Sequence, residues 1–528
     1  MHIFRLWQTF LDNVNPLIKI FHAPTVQQQV LDASADLTKV SKRMEVLMFG
    51  IYATAINSLD ELEVKTIFCE EKSTLLNRYQ SGCRQALLRA GFLRSSDMTI
   101  LQGFVLYLVA LPIQTQWSDL ISSQLASLNF SIDPRALYCL TGITVRIAQR
   151  MGLNVDGTSY GLQPFEVEMR RRLWWQIILL DSRVGELSGA GPSLHMHIWT
   201  TRLPSNVNDS SLFPDMREPP VEHPGVTEML FVLQRCEIAQ FVHHQRRAHA
   251  CGPADPNVGM VDSFEDMLEK KYLKYCDSQV PMHHISMLMA RIGMCRLRMG
   301  PRHPHLLSVK ANDMSDEEKE RFFILGLTML ENHHKMMCAK NLGRFMWHIY
   351  TNFPFPAHVY LLCALRHRTT GELADKAWQQ MSDSFDRRYN SDMKSKQKHG
   401  SQLHMALANL TLKAWDAREA ALRMFQPCPP TPKFILGMRE ELASRKSPAS
   451  TAQSDTPQPP LGDAFGTQLE DAYQWLNQQP LSGQGFDQSG IPVPMPDSSS
   501  MDWSFWNGFQ VPMPAGFDNG MNPGFYQT

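Results

Sequence analysis

The stretch FEVEMRRRLWWQIILLDSRVGEL, residues 165–187, decides the fold class of this chain. Pro164 stands just before it and suits the first turn of a helix. Consecutive helical residues diverge by about 100°, so Arg170, Arg171 and Arg172 span about 200° of the helix circumference. Three arginines spread so widely cannot all face one groove of a nucleic acid. We therefore interpret this stretch as a packing helix.

The charged and aromatic residues of this helix have separate roles. Glu166–Arg170 and Glu168–Arg172 are i, i+4 pairs in the favoured acid-first order, each worth about 0.2–0.5 kcal/mol. Two adjacent tryptophans can each bury about 150–250 Å², worth several kcal/mol apiece as an upper bound; these are Trp174 and Trp175. Packing is therefore predicted to dominate, while the charges orient and solubilise the helix.

Asp181 lies on the same helix with apolar residues at most of its i±3 and i±4 positions. A carboxylate on an apolar face needs a partner, because burial of an unpaired charge is costly. We expect a tertiary ion pair between Asp181 and either Arg146 or Arg150 of the preceding helix.

Helical signals extend along the chain to about Gln426. In SIDPRALYCLTGITVRIAQRMGL, residues 131–153, Pro134 suits the first helical position and Gly152 provides a stop. Further helices are predicted around residues 226–250, 264–276, 281–298, 315–341, 356–367 and 403–424. Sustained period-2 alternation, which would indicate strands, does not occur. The sequence therefore predicts an all-α fold, a large multi-helix domain over residues 1–440.

Composition changes sharply after Lys446. All 51 basic residues precede Ser447, whereas eight of the 52 acidic residues follow it. The body is therefore mildly basic and the tail acidic. A polar tail rich in Pro, Gly and Gln cannot bury enough apolar surface to offset chain entropy. Residues 441–528 are predicted to be disordered.

This tail nevertheless carries eleven aromatic residues. Two tight clusters stand out, LEDAYQWL at 469–476 and MDWSFWNGF at 501–509, with the aromatic side chains Tyr473, Trp475, Trp503, Phe505, Trp506 and Phe509. Alternation of acidic and aromatic residues is typical of disordered activation domains, whose aromatic side chains dock in a coactivator groove. The alternative is a sticky tail without a partner.

The chain offers no residue pattern typical of an enzyme or a metal site. GTSYG at 157–161 fits the nucleophile-elbow pattern, but it lies between two predicted helices and lacks the strand that the motif requires. The spacing of His244, His249 and Cys251 matches no zinc site. The longest apolar run, residues 100–113, is too short to span a membrane. We expect no catalytic residue, no metal ligand and no cofactor in this chain.

Four further segments accompany the 165–187 helix: FLDNVNPLIKIFHAPTV at 10–26, MEVLMFGIYATAINSL at 44–59, VRIAQRMGLNVDG at 145–157 and TRLPSNVNDSSLFPDM at 201–216. In combination these segments resemble the middle region of fungal binuclear zinc-cluster transcription factors, the fungal-specific transcription factor domain. The resemblance covers about residues 5–440. It implies a structural or regulatory role for the motif residues Glu168, Arg170, Arg171, Arg172, Trp174, Trp175, Asp181, Arg146 and Arg150.

The resemblance implies a transcription regulator, an activator in a fungal nucleus, that controls a biosynthetic gene cluster for a secondary metabolite. Family members usually carry a six-cysteine cluster that binds two zinc ions and reads DNA, and that spacing is absent here. Direct DNA binding, and zinc as a cofactor, are expected only if such a cluster lies upstream. Otherwise the chain acts as a co-regulator through a DNA-bound partner. A coactivator or the general transcription machinery is the expected partner of the tail.

Two alternatives stay open. The stripe at residues 403–424 fits either a dimerising coiled coil, in a homodimer or heterodimer, or a helix that faces the core. The helical body could also serve as a small-molecule-binding or hydrolytic protein.

Overall fold

A computed structural model describes residues 2–111, 134–188, 199–250, 258–299, 315–392, 402–423 and 430–446. All of these residues belong to one of two compact units of the chain, formed by Met1–His303 and Asp313–Asp455. Every regular element in the described part is helical, and no strand occurs there. The prediction of an all-α fold is confirmed for these residues. Residues 441–446 of the predicted disordered tail are helical instead, and residues 447–528 lie outside the described part.

Eighteen α-helices lie within the described residues. The first nine are α1 His2–Asn13, α2 Asn15–Ile18, α3 Ala23–Ala35, α4 Lys42–Ser58, α5 Glu61–Phe68, α6 Lys72–Arg89, α7 Met98–Ala110, α8 Pro134–Arg150 and α9 Pro164–Ser188. The others are α10 Leu230–Ala250, α11 Val258–Lys271, α12 Pro281–Met299, α13 Asp316–Cys338, α14 Met346–Thr351, α15 Phe355–Leu365, α16 Glu372–Asp392, α17 Gln402–Leu422 and α18 Lys433–Lys446.

Local sequence signals set several helix ends. Asp60 and Glu63 form a reciprocal capping box at the start of α5, and each side chain accepts from the other residue's backbone N–H. Gly152 follows α8 with a φ of +69°, a left-handed conformation that glycine adopts without steric cost. The prediction of a helix that starts at Pro134 and stops at Gly152 is therefore confirmed.

Helix α4 forms the centre of the N-terminal core, with α1, α6 and α7 packed around it. Its contact with α7 is close because glycines lie at the crossing. A Cβ on Gly50 would lie 2.9 Å from Gly103 O, and one on Gly103 would lie 2.6 Å from Val46 Cγ1 and 3.0 Å from Val46 O. Only hydrogen side chains allow the two backbones to approach this closely.

The remaining helices extend this core in chain order. Helix α8 packs on α7 and α9, α10 on α9 and α12, α12 on α13, and α13 on α15 and α16. Helix α17 contacts α15 and α18. One bond joins distant parts of the chain, since Trp347 Nε1 donates to Asn13 O at 3.1 Å. No described helix is long and apolar enough to cross a membrane.

The glycine crossing yields a test of packing. We expect Gly103→Ala to lower the free energy of unfolding by about 1–3 kcal/mol, because its Cβ would press on the Val46 backbone. Urea unfolding followed by tryptophan fluorescence measures the change. Gly142→Ala is the matched control, since a Cβ there meets nothing within 4 Å. Alanine should stabilise that helix by up to about 1 kcal/mol. Equal effects of both substitutions would contradict this account.

Candidate functional site

The two tryptophans of α9 are fully buried, as predicted. Trp175 Nε1 donates to Arg202 O at 2.8 Å, and both indole rings meet Trp199 edge-on at centroid distances of 6.2 and 6.3 Å. Trp199 and Arg202 belong to the segment between α9 and α10, whose described part is residues 199–229, here called the covering loop. The tryptophans therefore bind this loop to the helix.

The three consecutive arginines of α9 point to three different places, in agreement with the predicted spread. Arg170 Nη2 donates to Met151 O at 2.7 Å, and its Nη1 lies 3.7 Å from Glu166. Arg171 binds Asp156 and Arg172 binds Glu168, each through its Nε, at 2.8 and 2.9 Å. None of the three is free to form a shared contact with nucleic acid.

Arg172 lies at the centre of an ion-pair network of four buried side chains and one exposed one. Its Nε donates to Glu168 Oε1 at 2.9 Å, and its Nη1 donates to Asp209 Oδ1 at 2.7 Å. The other carboxylate oxygen of Asp209 accepts from Lys19 Nζ at 3.1 Å, and Lys19 also contacts Glu228. We call these five side chains the ion-pair network. It joins α9, the covering loop and the N-terminal segment.

The environment of the Glu168–Arg172 pair differs from the prediction. The expected i, i+4 pair is present, but the two side chains are 1% and 0% exposed and do not solubilise the helix. Its burial has a structural cause: the covering loop supplies Asp209 and also the backbone N–H of Ser205, which donates to Glu168 Oε2 at 3.0 Å. The prediction that the charges of this helix solubilise it is therefore wrong for this pair.

Burial makes the charges of the network interdependent. Desolvation raises the pKa of Asp209, but the cations of Arg172 and Lys19 outweigh it and lower that pKa to about 2. Desolvation also disfavours the charged form of Arg172, yet Glu168 and Asp209 raise its pKa above the usual value. Asp209 and Arg172 are thus each held in the charged form by their neighbours.

A second cluster centres on Asp156, which is 3% exposed. Arg171 donates to both carboxylate oxygens of Asp156, at 2.8 and 2.9 Å. Arg202 N and Thr158 Oγ1 also donate to this carboxylate. Burial raises the pKa of Asp156, but these donors lower it by a larger amount. The pKa of Asp156 therefore lies far below its usual value. The cluster fixes the turn after α8 and the covering loop to α9.

Two other motif residues, Arg146 and Arg150, lie on α8. Arg150 donates to Leu93 O at 2.6 Å and Ser95 O at 2.5 Å, and Arg146 is exposed. Asp181 is 1% exposed. Its pairing with Arg146 or Arg150 stays a prediction. The tail residues Tyr473, Trp475, Trp503, Phe505, Trp506 and Phe509 lie outside the described residues.

Sequence reasoning missed Lys19, Asp209, Glu228 and Asp156. Lys19 carried a weak signal, because it is a lone charge in the apolar run PLIKIF. Asp156 precedes Gly157 and Thr158 and accepts from Thr158 N, as helix-capping residues do. Nothing local marked Asp209, whose partners lie 37 and 190 positions away.

The arrangement is suited to holding segments together, since its charges are mutually paired and all but Glu228 are buried or nearly so. Within the described part of the chain, no group of three or more His, Cys, Asp or Glu side chains could hold a metal ion. Gly157–Tyr160, which overlaps the GTSYG motif, is a 3-10 turn between α8 and α9. The chemistry of the site is therefore ionic attachment of three segments.

Residues 7–233 match the family model described as "Fungal specific transcription factor domain". The whole ion-pair network, from Lys19 to Glu228, lies inside this match.

Curated relatives extend the similarity along most of the chain. "Transcriptional regulator AacuB" of Aspergillus aculeatus is 33% identical over 84% of this chain and 59% of its own length. "Aurofusarin cluster transcription factor aurR2" of Gibberella zeae is 34% identical over 80% and 61%. "Pyriculol/pyriculariol biosynthesis cluster transcription factor 1" of Pyricularia oryzae is 32% identical over 79% and 55%. The aligned part of the chain thus spans little more than half the length of these relatives.

Removal of the central cation tests the network. We expect Arg172→Met to lower the free energy of unfolding by about 3–5 kcal/mol, because Glu168 and Asp209 would remain buried with Lys19 as their single cation. Urea unfolding followed by tryptophan fluorescence measures the loss. Arg217→Met, at an exposed arginine of the covering loop, should change stability by no more than about 0.5 kcal/mol. Similar stability of the two variants would refute the importance of the network.

Proposed function

We propose that the protein, whose residues 7–233 match the model of the fungal-specific transcription factor domain, activates transcription of a gene cluster for a secondary metabolite. The observation that carries the proposal is similarity over 79–86% of the chain to proteins named as transcriptional regulators. Two of these names specify a cluster, for aurofusarin and for pyriculol and pyriculariol. We propose a biosynthetic gene cluster as the target of the present chain as well.

We propose that the helical body serves as a structural platform. The ion-pair network and the Asp156 cluster hold the covering loop on α9 through side chains that are buried or partly buried. Such a platform can present its outer surface, and the segments attached to it, in a fixed geometry. The contacts of Glu168, Arg171 and Arg172 support a structural role for these motif residues. Arg170 supports the same arrangement through Met151 O.

Contact with DNA is proposed in two alternative forms. In the first, a six-cysteine zinc cluster outside the present residues reads DNA, as the resemblance implies. In the second, the chain is a co-regulator that reaches DNA through a partner, and the helix Gln402–Leu422 is one element through which a dimer could form. Both forms place the protein in the nucleus.

The acidic tail supports the activator assignment. Residues 447–528 combine eight acidic and eleven aromatic residues without any lysine or arginine. Repulsion between the carboxylates would keep the aromatic side chains available to a coactivator or to the general transcription machinery.

Gene replacement tests the proposed function directly. Removal of the gene from the fungus that carries it should lower the transcripts of neighbouring biosynthetic genes, measured by RNA sequencing. Reintroduction of the unaltered gene or the Arg217→Met variant should restore them, whereas Arg172→Met should not, because the platform would be destabilised. Unchanged transcripts after both removal and overexpression would overturn the proposal.

The tail has its own test. Residues 447–528 fused to an unrelated DNA-binding domain should activate a reporter gene. Trp503, Phe505 and Trp506 changed together to Ala should lower that activation about tenfold, as expected when aromatic anchors of an interface are lost. Pro512→Ala should leave it unchanged. An inactive fusion would argue against an activator and would favour the small-molecule-binding or hydrolytic alternative.

A further inference from the structure

A half-buried guanidinium, that of Arg235 on α10, lacks the carboxylates that surround Arg172. Its Cζ lies 5.4 Å from the ring centroid of Phe231, a side chain that is fully buried one helical turn earlier. Among the described residues, no carboxylate forms an ion pair with Arg235 and no group accepts a hydrogen bond from it. The N–H donors of this guanidinium therefore have no protein acceptor in the described part of the chain.

The charges around Arg235 increase this imbalance. Burial lowers the pKa of Arg235 to about 10, and the positive charge of Arg183 on α9 contributes to the decrease. Arg183 already has partners, because its Nη1 donates to Glu186 Oε2 at 2.8 Å and its Nε donates to Thr351 O at 3.0 Å. Glu186 also pairs with Arg296 at 3.0 Å. The nearby carboxylate is thus shared by two other arginines.

His348 of α14 borders the same site and is 6% exposed. Its ring meets Phe231 edge-on at a centroid distance of 5.4 Å. Its Nε2 accepts from Asn352 Nδ2 at 3.2 Å, which places the imidazole proton on Nδ1. Burial lowers the pKa of His348 well below its usual value, and the two nearby arginines lower it further. The imidazole is therefore neutral and supplies no counter-charge for Arg235.

A cation withdrawn from water without a counter-charge is unfavourable. Arg172 avoids this state through two carboxylates, from Glu168 and Asp209. Arg235 keeps its charge without either kind of compensation from the described residues. Groups that are held in an unfavourable state are typical of binding sites, because the ligand removes the unfavourable term. The missing counter-charge at Arg235 therefore indicates a bound anion.

We propose that Arg235 binds the carboxylate of a small organic acid. The planar fork of a guanidinium matches both oxygens of a carboxylate. The rings of Phe231, His348 and Trp347, each in edge-on contact with the next, border the arginine and suit an acid with an aromatic body. This binding site goes beyond the proposed function, and it does not depend on whether the chain activates transcription.

The number of charges selects a carboxylate over a phosphate. Arg183 is balanced by Glu186, and Arg296 is 54% exposed, so water screens its charge. One positive charge, that of Arg235, remains withdrawn from water without a partner. A single carboxylate balances it. A phosphate carries close to two negative charges near neutral pH and would leave one of them without a partner in the site.

Arg235→Met tests whether the arginine serves a ligand or the fold. The methionine keeps an apolar stem on Phe231 and removes the uncompensated charge, so the melting temperature of the dialysed full chain should rise by about 1–4 °C. The same substitution at a compensated arginine, Arg172→Met, should lower it. Differential scanning fluorimetry measures both shifts. A lower melting temperature for Arg235→Met would show a structural role and would overturn the proposal.

Sodium benzoate is the direct probe of the site. At a concentration of about 10 mM, roughly ten times the dissociation constant expected for one bidentate pair, it should raise the melting temperature of the unaltered chain by about 1–3 °C. Arg235→Met should lose this shift, and Arg217→Met, at an exposed arginine of the covering loop, should retain it.

Two further compounds serve as matched controls. Benzamide has the same ring without the charge, and sodium phosphate at equal ionic strength has the charge without the carboxylate. Neither should shift the melting temperature. The proposal is overturned if benzoate causes no shift, if Arg235→Met responds to benzoate like Arg217→Met, or if benzamide or phosphate causes the same shift as benzoate.

Discussion

The burial of one guanidinium organises this part of the protein. Arg172 has no exposed surface, and a cation removed from water is strongly unfavourable unless carboxylates face it. One carboxylate, from Glu168, comes from the preceding turn of the same helix. The other, from Asp209, must come from the covering loop, and its second oxygen requires Lys19. The need to neutralise buried Arg172 thus fixes the relative positions of α9, the covering loop and the N-terminal segment.

Apolar and ionic contacts converge on the same loop. The tryptophans of α9 meet Trp199, and Trp175 donates to Arg202, while the arginines reach Asp209 from the same helix. Hydrophobic burial supplies stabilisation without direction, whereas buried ion pairs add geometric requirements and little net stabilisation. This combination of apolar burial and directed ion pairs suits a helix that must hold a loop in one position. The Asp156 cluster adds a second attachment at the other side of the loop.

Sequence reasoning reached the features that depend on nearby residues. Helix α9, the stop of α8 at Gly152 and the Glu168–Arg172 pair all follow from spacing, propensity or backbone conformation within a few positions. It failed where the partner lies far along the chain. Asp209 reaches Lys19 across 190 positions, and no local pattern announces such a contact. Arg150 binds backbone carbonyls, which every residue type provides, so its partners left no mark in the sequence.

The separation of Lys19 from Asp209 also has a consequence for synthesis. A ribosome that adds about 5–20 residues per second needs roughly 10–40 s to produce the 190 positions between them. During that interval the N-terminal helices exist without the carboxylate that neutralises Lys19, and that side chain keeps its water. Final closure of this region therefore waits until the loop after α9 has left the ribosome. The completion of the N-terminal core is therefore timed by translation.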